Sequence, residues 1–120
     1  MAKAEQTWSG EELAERLRPM PGWYEAGGQI CRDFVTEGWL ATLLAANAIG
    51  FLAEAADHHP DLALSWGRIT VRLNTHSAGG ITDKDLELAR RIEDLALWRP
   101  GAGSALTGTG RKFVQPGEKR

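Results

Sequence analysis

Residues 54–85 read EAADHHPDLALSWGRITVRLNTHSAGGITDKD and carry all three histidines of the 120-residue chain, His58, His59 and His76. The same stretch decides the fold. It leaves a helical pattern at Pro60, alternates through Leu62 and Leu64 to Trp66, and alternates again with Ile69, Val71 and Leu73 set against Thr70, Arg72 and Asn74. That second alternation has the period of two of a strand with one buried face. Ser77-Ala78-Gly79-Gly80 reads as a turn, and Thr82 with Asp85 as a capping box that opens a helix.

Working outward, the last helix runs to about Trp98 with Leu86, Ala89, Ile92, Leu95 and Ala96 inside. On the other side, residues 38–57 form a long helix. Leu40, Leu44, Asn47, Phe51, Glu54 and His58 lie along one stripe, with Trp39, Leu43, Ala46, Gly50 and Ala53 along its neighbour. So much apolar circumference predicts burial on more than one side, against the chain's own sheet and against another subunit. Before it, Gly22–Ala26 and Gln29–Thr36 are strands joined by Gly27-Gly28, a hairpin signal, with Ile30, Arg32, Phe34 and Thr36 sharing a face. Ser9 with Glu12 forms another capping box, and a helix follows from Gly10 to about Arg18, with Leu13 and Leu17 inside, until Pro19 and Pro21 end it.

Residues 1–8 carry no periodic signal and are expected to be loose; residues 9–98 form the domain. From Arg99 the sequence turns rich in Gly, Ser, Thr and Pro with a basic finish, which predicts a solvated tail over 99–120. The order α-β-β-α-β-β-α describes a two-layer α+β domain, in which a four-stranded antiparallel sheet carries its helices on one face. Its other face is left partly open, a second reason to expect an oligomer.

The length suits one domain with a real core, and 42% hydrophobic with 25% charged residues is ordinary for a globular protein, which excludes wholesale disorder. A net charge of −2 and a pI near 5.9 give no electrostatic reason for a nucleic-acid partner. The single cysteine, Cys31, cannot form an internal disulfide; it fits a reducing compartment and reads as a small strand residue rather than a nucleophile. The first residues lack the apolar region of a secretory signal. Trp39–Ala56, alanine-rich and interrupted by Asn47 and Glu54, reads as too short and mixed for a membrane span. The expected location is the cytoplasm, with no membrane partner.

Histidine donates and accepts protons near neutral pH. At a helix-to-strand corner braced by Pro60, His58 and His59 can reach one cavity, and Glu54, one turn before His58, can accept from a ring N–H and fix its tautomer. His76 stands at the end of the clearest strand, and Asp85 can cap its helix or orient His76. Three readings remain open on spacing alone. The histidines are separate surface residues, or three zinc ligands without an HExxH or Cys-His set to support them, or the centre of metal-free acid–base chemistry.

The full constellation resembles the pterin-4a-carbinolamine dehydratases. Their motif is a charged residue, three residues, His-His-Pro, an aromatic, nine residues, a His and a later Asp; here it runs Glu54, His58-His59-Pro60, Trp66, His76, Asp85. The likeness spans roughly Leu17–Leu97 and includes Gly22-Trp23 and the 75–85 run. It implies a dimer or dimer of dimers that dehydrates 4a-hydroxytetrahydropterin to the quinonoid dihydropterin without metal or cofactor. It further implies that His58 and His76 are the acid–base pair, that His59 shapes the pocket, and that Glu54 and Asp85 support them. Asp57, Pro60, Trp66, Asn74, Thr75 and Ser77 would then contact the pterin, largely through backbone groups. The chain departs from the family at Phe34-Val35-Thr36, at Gly38-Trp39 and at Ala45, where aromatics are usual; packing and the subunit contact should change there. Relatives of this fold also include Rubisco assembly factors, in plastids and beside alpha-type carboxysome genes, which makes the Rubisco large subunit the alternative partner. Another relative is a dimerisation partner of an animal homeodomain factor.

Overall fold

A computed structural model describes residues 5–116. Its elements are α1 (Gly10–Leu17), β1 (Trp23–Ala26), β2 (Gln29–Val35), α2 (Trp39–Ala56), β3 (Asp61–Ser65), β4 (Arg68–Leu73) and α3 (Asp83–Ala96), with a short 3-10 turn at His76–Ala78 between β4 and α3. The strands form one antiparallel sheet in the order β1-β2-β4-β3. This is the α+β arrangement and element order the sequence predicts.

Pairing of Ile30 with Leu73, Arg32 with Val71 and Phe34 with Ile69 puts one residue set on a single face. Ile30, Phe34, Ile69, Val71 and Leu73 are fully buried there beneath Leu13 and Leu17 of α1, Ala45 and Ile49 of α2, and Leu88, Ala89 and Ile92 of α3. Arg32 is buried on the same face because α3 supplies its counter-charge. Glu93 accepts from Arg32 Nε at 2.9 Å and Nη2 at 3.1 Å, and from the Trp23 indole N–H at 2.8 Å. A methyl group on Gly22 would lie 2.6 Å from Arg32 Nε, so the Gly-Trp pair leaves room for the guanidinium and then donates to its partner.

Several sequence expectations need correction. Ser9 stands at the start of α1, but its side chain makes no cap hydrogen bond, so that capping box does not form. Leu95, expected inside, is 41% exposed on the outer side of α3. Residues 1–4 lie outside the described residues; Trp8, placed in the loose segment, belongs to the core, paired with Ile81, donating to Asp83 at 2.9 Å and lying under Arg16. The C-terminal segment is exposed over residues 101–112, as a solvated tail would be, but it then docks on the sheet. β1 reaches only as far as Arg32 along β2, and the vacant β2 edge beyond it takes up residues 113–115. Gln115 donates to the Val35 carbonyl, Glu37 to that of Phe113, and Val114 is buried. Lys119 and Arg120, the end of the basic finish, lie outside the described residues.

The inner face of α2 is made mostly of small residues around one isoleucine: Ala41, Thr42, Ala45, Ile49 and Ala53 are buried. Most of its large side chains point away, with Trp39, Leu40, Leu43, Leu44 and Phe51 between 36% and 75% exposed. By length and composition the helix is apolar enough to cross a membrane, contrary to the sequence reading, although its small-residue face packs on the sheet.

Candidate active site

The corner between α2 and β3 sends adjacent histidines in opposite directions. α2 ends at Asp57, a non-glycine residue in the left-handed region at φ 52°, and the His58 amide bonds back to the Ala53 carbonyl at 3.1 Å. This 6→1 closure reverses the chain, and Asp is one of the few side chains that tolerate its geometry. His58 turns inward to α3, where its Nε2 lies 2.6 Å from Oδ1 of Asp85. His59 turns outward, its Nε2 2.9 Å from Oε1 of Glu54. The expected partners are therefore exchanged: Glu54 serves His59 instead of His58, and Asp85 serves His58 instead of His76.

Asp85 is fully buried, and each of its oxygens is used. Oδ1 takes His58; Oδ2 accepts from the Thr75 hydroxyl at 2.8 Å and from the Thr82 amide at 2.9 Å. The Thr82 hydroxyl accepts from the Lys84 amide, which completes the predicted capping box. One carboxylate thus caps α3, ties the end of β4 to it, and holds a histidine. An ionised carboxylate can only accept, so His58 Nε2 carries a proton, and in the neutral form of the ring the lone pair then lies on Nδ1. The tautomer is set by a partner in a dry site, where a hydrogen bond is stronger than in water.

His58 also lines a cleft of about 610 Å³ between the C-terminal half of α2 and the first turns of α3. Leu52, Ala55, Ala56 and Leu88 give it an apolar side, and Asp57, Lys84, Glu87 and Arg91 a charged rim. Lys84 and Arg91 are cleft residues that the motif did not single out; their i, i+7 spacing on α3 with Glu87 and Leu88 between them was the available signal.

The remaining expected site residues are distributed unevenly. His76 is exposed, three residues beyond β4 at the head of the 3-10 turn, beside exposed Ser77. Thr75 is buried, and all its polar groups are used: its hydroxyl goes to Asp85, its amide to the Gly80 carbonyl, and its carbonyl to the amides of Ala78 and Gly79. Its contacts therefore all lie within the chain, in the support of Asp85 and of the 75–80 loop. Asn74 and Pro60 are half-buried at the ends of β4 and β3. Trp66 is not brought to the histidines. It occupies the β3–β4 turn, six residues and roughly 20 Å of extended strand beyond Pro60. There it is 70% exposed, its indole covers Gly38, and its carbonyl accepts from the Thr42 hydroxyl at 3.0 Å. Gly38 has φ 148°, and a Cβ there would press on that ring at 3.2 Å, both of which favour glycine at one of the chain's departures from the motif. Among the described residues no three His, Cys, Asp or Glu side chains are grouped as a metal centre.

Cys31, on the sheet face away from the helices, is buried, and its thiol is pushed above the usual range chiefly by that burial. Asp33 and Glu25 add to the shift against the opposing pull of Arg72. A thiol held protonated is a poor nucleophile.

Comparison with known proteins gives consistent results. The family model described as "Pterin 4 alpha carbinolamine dehydratase" matches residues 6–95. A relative from Aquifex aeolicus, provisionally named pterin-4-alpha-carbinolamine dehydratase, is 44% identical over 87 residues, covering 72% of this chain and 88% of its own. One of the same name from Natronomonas pharaonis is 47% identical over 74 residues, 62% of this chain and 80% of its own. Among solved structures, a transcriptional coactivator/pterin dehydratase from Brucella melitensis superposes with a TM-score of 0.71 at 29% identity, covering 76% of this chain and 99% of its own. A pterin dehydratase-like protein identified as a RuBisCO assembly factor in the alpha-carboxysome shares the fold at TM-score 0.56 and 20% identity, over 65% of this chain and 93% of its own.

Proposed function

From the premise that this chain belongs to the pterin 4 alpha carbinolamine dehydratase family, we propose that it dehydrates a 4a-hydroxytetrahydropterin to the quinonoid dihydropterin by histidine acid–base chemistry. The observation that carries the reading is His58 on the wall of the cleft, held at 2.6 Å by the buried Asp85 behind it. Hydroxide is a poor leaving group, so the oxygen needs a proton as the C4a–O bond breaks. The electron pair of that bond leaves on oxygen as water, a ring-nitrogen lone pair becomes the new C=N bond, and the N–H proton passes to a base. His58 is the base through Nδ1, since Asp85 occupies Nε2; His76, exposed at the head of the 3-10 turn, is the acid. His59, which the family likeness places in the pocket, points outward to Glu54 and is not among the residues that line this cleft. The chemistry needs no metal or cofactor.

Dehydration of freshly generated 4a-hydroxytetrahydropterin tests this. The protein should accelerate loss of water well above background, and a His58→Ala/His76→Ala double variant should not. Folded wild-type protein that gives only the background rate overturns the reading.

The active form is proposed to be a homo-oligomer paired through α2. Leu40, Leu44, Asn47, Phe51 and Glu54 are exposed at spacings of 4, 3, 4 and 3, the seam of a helix pair. Gly50 supports this: a Cβ there would meet nothing in its own chain, so its helix cost of about 1 kcal/mol has no internal reason. Close approach of a second helix supplies one. Leu44→Glu should shift the sedimenting species to monomer; a wild-type monomer overturns this part. A second reading uses the same face to bind the Rubisco large subunit. Its support is fold likeness alone, and co-purification of Rubisco with a catalytically silent protein would favour it.

A further inference from the structure

Between the two histidines assigned to the chemistry stands Thr75, which every polar contact turns inward. Its single hydroxyl proton goes to Asp85 Oδ2, at 2.8 Å. In the 2.7 Å contact between the Thr75 and Thr82 hydroxyls, Thr75 is therefore the acceptor and Thr82 the donor. The chain of donation runs from Thr82 O–H to Thr75 O–H to Asp85, which also receives the His58 Nε2–H from the other side. All three supporting side chains are buried, so each link polarises the next with no competing water. Thr75 is also the residue before His76, and its carbonyl and amide close the 75–80 loop that carries His76.

We propose that Thr75 and Thr82 are positioning residues. Their hydroxyl relay holds the Asp85 carboxylate in the one orientation that fixes the Nε2–H tautomer of His58, and Thr75 sets His76 from the same anchor. The assignment of His58 and His76 to the reaction rests on the dehydratase reading; the relay and its effect on the ring do not. Without the Thr75 hydroxyl, Oδ2 retains only the Thr82 amide, the carboxylate is free to turn, and the His58 ring loses its fixed tautomer. A threonine that merely filled space would leave the ring unchanged.

The test uses the full-length protein labelled with ¹⁵N-histidine, which has only three histidines to assign. Wild type should give a His58 spectrum with Nε2 protonated and Nδ1 bare. In Thr75→Val the two nitrogen shifts should move toward each other as both tautomers are populated, and Thr75→Ser, which restores the hydroxyl, should return them. In the dehydration assay Thr75→Val should lose roughly 10- to 100-fold in kcat with KM little changed, as expected of misplaced groups. Thr75→Ser should recover most of that. If Thr75→Val does not fold, Thr82→Val, which removes the outer donor together with the cap on the Lys84 amide, should show the same shift to a smaller extent. A His58 spectrum identical to wild type in the folded variant overturns the proposal, whatever happens to stability. An inactive wild type whose variants show the shift would sink the dehydratase reading and leave the relay standing.

Discussion

His58 and His59 are neighbours in sequence, and each brings Nε2 to a carboxylate, at 2.6 and 2.9 Å. Their surroundings differ in every other respect. The His58 side chain is 15% exposed against a fully buried Asp85, whose other oxygen is held by Thr75 and Thr82; the His59 and Glu54 side chains are 56% and 84% exposed. Two imidazole–carboxylate pairs of similar length are therefore unequal instruments. In the buried pair the carboxylate has no freedom to turn and no water to replace it, so it dictates which nitrogen can take a proton. In the exposed pair solvent competes for both partners, and the contact is a screened surface interaction.

The largest expected effect extends the contrast to the buried Arg32–Glu93 ion pair that α3 makes with β2. Glu93→Ala leaves Arg32 as an uncompensated buried cation and strands the Trp23 indole N–H, which should cost about 3–5 kcal/mol in denaturant-unfolding experiments. Asp85→Ala comes next. It leaves the Thr75 hydroxyl and the Thr82 amide without their acceptor in a buried site, and a loss of about 1–3 kcal/mol in all should appear as a lowered unfolding midpoint. Asp57→Val attacks the corner that separates the two histidines. A β-branched residue at φ 52° should lose about 1–2 kcal/mol by thermal melting. Glu54→Gln should change stability by less than about 0.5 kcal/mol. A loss as large as that of Asp85→Ala would erase the distinction between the two pairs.

What the sequence made legible follows from physics of short range. Period-two alternation set β4, and Thr82 with Asp85 announced α3, where the capping box forms. The same Ser-x-x-Glu signature at Ser9 gave the right helix start without the side-chain cap, because a cap pattern records compatibility and not the bond itself. In α2 the apolar residues were legible but their direction was not. Large side chains outnumber what one sheet can cover, and the helix packs inward through Ala41, Ala45, Ile49 and Ala53, which carry the weakest pattern. Spacing also mispaired the site. Glu54 stands one turn before His58, but the left-handed Asp57 turns His58 away from it, a reversal that an Asp before His-His-Pro does not declare. Trp66 shows the limit most plainly, since it keeps its place in the motif while a full strand separates it from the histidines. Residues 113–115 looked like tail because their partners on β2 lie about 80 positions away, beyond any local signal.

The measurement that tests the central claim most directly is the rate of 4a-hydroxytetrahydropterin dehydration by wild type, Asp85→Asn and Glu54→Gln in one assay, each shown to be folded. Asparagine can still approach His58 but no longer holds it by charge. If the buried pair sets the base, Asp85→Asn should fall by on the order of 10²-fold or more, while Glu54→Gln stays within a few-fold of wild type. Equal losses in the two variants, or full activity in Asp85→Asn, would contradict the account.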